Sequence, residues 1–140
     1  MPRTDGASTP PSRLSLWAPV ALYMALIFAL SSRPVLPSPL GLNDKIVHFV
    51  FYGGLAAVTL RATAGGRLAG LSAGAAATAW LIASVYGASD EFHQSFVPGR
   101  SADVWDLVAD AGGAALAVGA LWASGIILRS SGAAPREPRA

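Results

Sequence analysis

Four apolar runs, at about residues 14–32, 46–60, 68–89 and 104–128, dominate this 140-residue chain. Each approaches the length of a bilayer-crossing helix, since a hydrocarbon core about 30 Å thick takes roughly 20 residues at 1.5 Å apiece. The run at 46–60 is short when cut at Arg61; it gains length by taking a turn from Asp44 and Lys45 and letting Arg61 snorkel. Charge is scarce as well. Only 13% of residues are charged and 53% are apolar, where a soluble domain carries roughly 25% charged residues to cover its surface. The expected fold is therefore all-α: a polytopic membrane protein whose residues 14–128 form four transmembrane helices in a small bundle.

The first run follows Arg3 and Arg13 and passes Ala29-Leu30-Ser31, as a cleaved signal would, but its length and the spans after it favour a retained helix. Residues 1–13 and 129–140 are rich in Pro, Ser, Gly and Arg and have little to bury, so both read as disordered tails. Gly70 and Gly74, Gly53-Gly54 and Gly112-Gly113 are candidates for close helix approach, although a chain so rich in small residues produces such spacings by chance too. Orientation follows from the basic residues, which collect on cytoplasmic flanks. Seven of the ten (Arg3, Arg13, Arg61, Arg67, Arg129, Arg136 and Arg139) fall on one side, against Arg33, Lys45 and Arg100 on the other. Both termini are expected in the cytoplasm. A formal charge of +2, with arginines scattered beside apolar runs, argues against a nucleic-acid partner despite a pI near 9.5. Cysteine is absent, which removes disulfides, thiolate metal sites and a cysteine nucleophile.

Polarity concentrates in two places. SDEFHQSFVPGRSADVWDLVAD, from Ser89 to Asp110, holds five of the eight acidic residues, and NDKIVHFVFY opens the second run. In the topology above both lie at the outer ends of spans. Asp44, His48 and Tyr52 at i, i+4 and i+8 form one helical stripe; Asp103, Asp106 and Asp110 at i, i+3 and i+7 form another. If the third helix continues past Ser89, Asp90 or Glu91 shares a face with Gln94. Val97-Pro98-Gly99-Arg100 has the composition of a tight turn, and Ser101 is the expected N-cap of the fourth helix. Asp110 lies roughly 10 Å deeper than Asp103 at helical rise. It is expected to face the interior, either paired or protonated, because a carboxylate facing lipid there costs about 2.5–3.5 kcal/mol.

DKIVHFVFYGGLA followed by DEFHQSFVPGRSADVWDLVADAGGA resembles the VanZ-like family of small bacterial integral membrane proteins, over about residues 28–120, and Ser31-Ser32 fits that family's serine-containing opening. The resemblance implies a multi-pass cytoplasmic-membrane protein of the cell envelope, of a type whose namesake is associated with antibiotic resistance, to the glycopeptide teicoplanin. It marks Asp44, Lys45, His48, Tyr52, Asp90, Glu91, Gln94, Arg100, Asp103 and Asp106 as family-pattern residues. Asp110 departs from the pattern, where asparagine is common, which suggests a hydrogen-bonding role. These residues, Asp110 included, are the candidate ligand-binding set.

Three functions compete. The polar cluster binds or shields an envelope component or amphiphile, such as a lipid-linked wall precursor or the glycopeptide, with Phe49, Phe51, Tyr52, Phe92, Phe96 and Trp105 against acyl or sugar surfaces. Alternatively the protein is a hydrolase or transferase at the membrane interface, with His48 or His93 as base and Arg100 or Lys45 stabilising an anion; no motif in the chain selects a reaction. A metal held by His48, His93, Asp44 and Glu91 is chemically reasonable, but His93 does not map onto the family pattern, and the sequence reading assigns no metal and no cofactor. Against all three stands a structural network in which Arg100 pairs with Asp103 or Asp106, and His48 with Asp44 or Glu91, to dock the helices.

Overall fold

The computed structural model describes residues 10–34, 43–67, 69 and 71–131. Most of the two expected tails, with their arginines 3, 136 and 139, and Gly70 lie outside the described residues. Among the described residues four helices follow one another: α1 (Arg13–Ser31), α2 (Asp44–Thr63), α3 (Ala73–Gln94) and α4 (Val104–Ser131). Among the described residues there is no strand. Three helices, α1, α2 and α4 over Val104–Ile126, are long and apolar enough to cross a membrane; α3 is not among them. The second run is the short one in the sequence when cut at Arg61. It is extended as expected, through Asp44 and Lys45 at one end and past Arg61 at the other.

Side chains fix the helix starts. Ser12, Asn43 and Ser72 each sit in extended backbone and accept a hydrogen bond from an amide of the first turn, Ser15, Lys45 and Ala75 respectively, which satisfies donors the helix cannot. Ser72 starts α3 later than the apolar run suggested, because Gly65 and Gly66 take positive φ angles in the turn that closes α2. At its other end α3 continues past Ser89 to Gln94. Ser101 is not the cap of α4. That role falls to Asp103, whose carboxylate accepts from Trp105 N at 2.9 Å and whose carbonyl accepts from Asp106 N at 3.0 Å. The Pro98-Gly99 turn forms as expected: Gly99 has φ +80° and Arg100 N donates to Val97 O at 3.1 Å.

The core is built around α2, which packs against every other helix; α3 also packs on α4, while α1 leans on α2 and only slightly on α3. Small residues set the spacing. Ala76, Ala79, Ala83, Gly87, Asp90 and Gln94 form a buried stripe on α3 at intervals of three and four, the period of one helix face. Gly53 of α2 and Gly113 of α4 face one another: a side chain at Gly113 would overlap the backbone of Phe49, and one at Gly53 would press on the Gly113 carbonyl. Gly112 meets only the edge of the Phe49 ring, and a side chain at Gly74 would meet only Ser72 Oγ of its own helix start, at 3.9 Å, so Gly74 makes no close contact with another helix. Indole and phenol groups bond across helices: Trp80 Nε1 to Ala111 O, Trp122 Nε1 to Leu71 O, and Tyr86 Oη to Met24 O.

Candidate functional site

The end of α1, the start of α2, the end of α3 and the start of α4 meet at one end of the bundle, and each brings polar side chains. On the α1–α3 side, Ser31 Oγ donates to Asp90 Oδ1 at 2.6 Å and Gln94 Nε2 donates to Asp90 Oδ2 at 2.9 Å. Arg100 Nη1 donates to Gln94 Oε1 at 2.8 Å and its Nε to the Arg33 carbonyl at 3.0 Å. Between α2 and α4, Lys45 Nζ lies 2.6 Å from Asp103 and 3.1 Å from Asp106. That ammonium, with the Trp105 amide, holds the Asp103 carboxyl below its usual range. Deeper in, His48 Nδ1 is 3.0 Å from Asp110 Oδ1 while its Nε2 faces Glu91 Oε1 at 4.0 Å. Glu91 closes the ring of helices by accepting from Asp103 N through its other oxygen, at 2.9 Å.

The helical stripes explain this convergence. Asp44, His48 and Tyr52 descend α2, with Asp44 exposed at the mouth and Tyr52 buried below a His48 ring that stacks on it, centroids 6.1 Å apart. Asp103, Asp106 and Asp110 descend α4 from half-exposed to 1% exposed. Asp90, Glu91 and Gln94, all buried, come from the last turns of α3. Every candidate residue named from the sequence thus lies at this end of the bundle.

The pairings differ from those expected. Lys45, not Arg100, meets Asp103 and Asp106; the Pro-Gly turn carries Arg100 back to α3 and to the end of α1. His48 meets Glu91, one of its two expected partners, at 4.0 Å, but its hydrogen bond goes to Asp110, so Asp110 is paired, one of the two states expected of it. His93 is drawn toward α1, 3.0 Å from Ser32 Oγ and with its ring 4.6 Å from that of Phe28. The metal set containing it is replaced by Asp44, His48 and Asp106, which each offer a ligand atom within 4.8 Å of the others. Ser31 and Ser32 were not among the candidate residues. The signal for them was the family resemblance, whose serine-containing opening Ser31-Ser32 fits.

Electrostatics set this end apart from the rest of the bundle. Asp90, Glu91, Asp106 and Asp110 are all buried, and of these only Asp106 touches a permanent cation. Arg100 spends its bonds on neutral acceptors. Buried carboxylate that exceeds fixed positive charge is costly, so the site attracts cations or protons. Tyr52 Oη, Glu91 Oε1 and Asp110 Oδ2 are buried and make no hydrogen bond among the described residues.

A cavity of about 70 Å³ opens beside the cluster between α1, α2 and α3. Its lining mixes apolar side chains, Ile27, Leu30, Val47 and Phe51, with polar ones, Ser31, Asp44, His48, Tyr52, Asp90, Gln94 and Arg100. Of the remaining aromatics, Phe92, Phe96 and Trp105 are exposed and Phe49 partly so.

Compared with known proteins, residues 8–128 match the family model described as VanZ/LLP1. No curated protein and no solved structure matches the chain.

Proposed function

The chain belongs to the VanZ/LLP1 family, and from that membership we propose an integral cytoplasmic-membrane protein that binds the polar end of a cell-envelope amphiphile at the α1–α2–α3 cleft. The mixed lining of the cavity carries this reading. Apolar side chains beside polar and charged ones in one lining suit a molecule that has both kinds of surface. Size limits what enters. Pockets that enclose a drug-sized ligand run to about 300 Å³ or more, so a cleft of about 70 Å³ takes a single headgroup moiety while the remainder lies along the bundle. A lipid-linked wall precursor fits that mode, and so does the acylated end of a lipidated glycopeptide, which gives the proposed link to teicoplanin resistance. In nanodiscs, Arg100→Ala and Gln94→Ala should each weaken binding of a labelled lipid-linked precursor by about tenfold, the worth of one charge-assisted hydrogen bond. Unchanged affinity in both would refute the cleft as the binding place.

The same reading makes α3 a fourth span. At 22 residues it is roughly 33 Å long, and the polar residues that dilute its hydropathy, Asp90, Glu91 and Gln94, face the bundle interior, where lipid does not meet them. With an even number of spans and the seven-to-three basic bias, both termini are cytoplasmic and the cleft is outside. A cytoplasmic reporter fused after Arg139 should be active; activity of a periplasmic reporter there would overturn the topology.

The hydrolase alternative draws on one specific observation: Asp110 orients His48 as a carboxylate orients a general base. Among the described residues the neighbour of the free Nε2 is a carboxylate rather than a hydroxyl nucleophile, which favours binding over covalent catalysis.

A further inference from the structure

Asp44, His48 and Asp106 bring ligand atoms within 4.8 Å of one another. Acids gathered at a surface do not by themselves make a metal site, but two further features here do point to an ion. The first is Glu91: its side chain is 5% exposed, its Oε1 has no hydrogen-bond partner among the described residues, and that oxygen faces His48 Nε2 at 4.0 Å. Glu91 borders the group of three without belonging to it, and the gap admits an ion between the two atoms, since opposite ligands of an octahedral ion such as manganese, each bound at about 2.0–2.2 Å, stand about 4.0–4.4 Å apart. The second is Asp110, whose Oδ1 lies 3.0 Å from His48 Nδ1. A carboxylate on one imidazole nitrogen fixes the tautomer that offers the other nitrogen to a metal.

We propose that His48 Nε2, Glu91 Oε1 and the carboxylates of Asp106 and Asp44 bind a divalent transition-metal ion, with Asp110 as the positioning residue behind His48. One imidazole and several carboxylates suit zinc or manganese. A dication supplies the positive charge that this end of the bundle lacks. Lys45 does not fill that need: its Nζ rests on Asp103 and Asp106 at the half-exposed rim and reaches neither Glu91 nor Asp110. When the ion takes Asp106, Lys45 keeps Asp103, its nearer partner at 2.6 Å. Exposed Asp44 at the mouth gives the ion its way in. The assignment needs only these side chains and is independent of whether an amphiphile binds beside them.

The test uses the full chain in detergent, stripped with chelator and titrated calorimetrically with Zn²⁺ and, separately, Mn²⁺, with elemental analysis after gel filtration. Wild-type protein should retain a single equivalent and show a raised thermal midpoint. Glu91→Gln, which keeps size and a hydrogen-bonding group, should weaken binding at least tenfold, and Asp110→Asn by ~10–100-fold, as second-shell changes do. His93→Gln, altered on the α1 side of the cluster, should bind like wild type. A cooperative thermal transition in ion-free buffer establishes that each variant is folded. Should folded Glu91→Gln and Asp110→Asn bind as tightly as wild type, or His93→Gln lose as much as they do, the site is wrong; a wild type that retains no ion also overturns it. Amphiphile binding measured on stripped protein separates this outcome from failure of the cleft reading.

Discussion

Gly113→Ala should destabilise the bundle more than a methyl group added at Gly112 or Gly119 of the same helix. The new Cβ would overlap the backbone of Phe49 on α2, and backbone cannot rotate away as a side-chain end can. Relief requires α2 and α4 to separate, which breaks the Gly53–Gly113 contact along the most extensive helix interface in the molecule. The expected loss lies at or beyond the upper end of the about 1–3 kcal/mol seen for overpacked cores. Gly119, where an added methyl meets nothing within 4 Å, is the control: alanine there should be neutral or stabilising by up to about 1 kcal/mol through helix propensity. Reversible unfolding in mixed micelles compares the two. Equal midpoints would mean that α2 and α4 do not approach as closely as described.

The second large effect is expected at Asp110. Leucine there removes the hydrogen-bond partner that His48 Nδ1 has among the described residues, leaving a buried imidazole donor unmet, and it places a branched side chain against Gly87, where Asp110 Oδ2 already comes within 2.7 Å of the position a Cβ would occupy. Together these should cost about 3 kcal/mol or more. Asparagine has the same shape, and its amide oxygen can still accept from Nδ1–H, so Asp110→Asn should fold within about 1 kcal/mol of wild type. The two variants are read by thermal midpoint in detergent without added metal. If asparagine is as damaging as leucine, His48 is held by charge and not by geometry, and the pair is an ion pair throughout.

Membership of an all-helical class was legible because scarce charge and four long apolar runs are chemical facts about the chain that no packing can alter. The polar stripes were legible for a related reason. Spacings of three and four residues place Asp44, His48 and Tyr52 on one side of α2, and Asp103, Asp106 and Asp110 on one side of α4, before any partner is known. Helix ends were less so: Ser101 and Asp103 are both good capping residues, and the choice fell to Asp103, whose carboxylate also lies beside Lys45.

What the sequence determined by itself, then, was which residues are polar, at what depth along each helix, and on which face. Only the tertiary structure decided who meets whom. Small-residue contacts at Gly53, Gly113 and Gly87 bring α2, α3 and α4 close together, and in that packing Asp110 meets His48 and Lys45 meets the acids that Arg100 was expected to hold, while His93 meets α1. The physical reason is range. Periodicity acts within one helix over a few residues, whereas the partners here are separated by 58 to 67 positions, and close packing of neighbouring backbones is what brings them together.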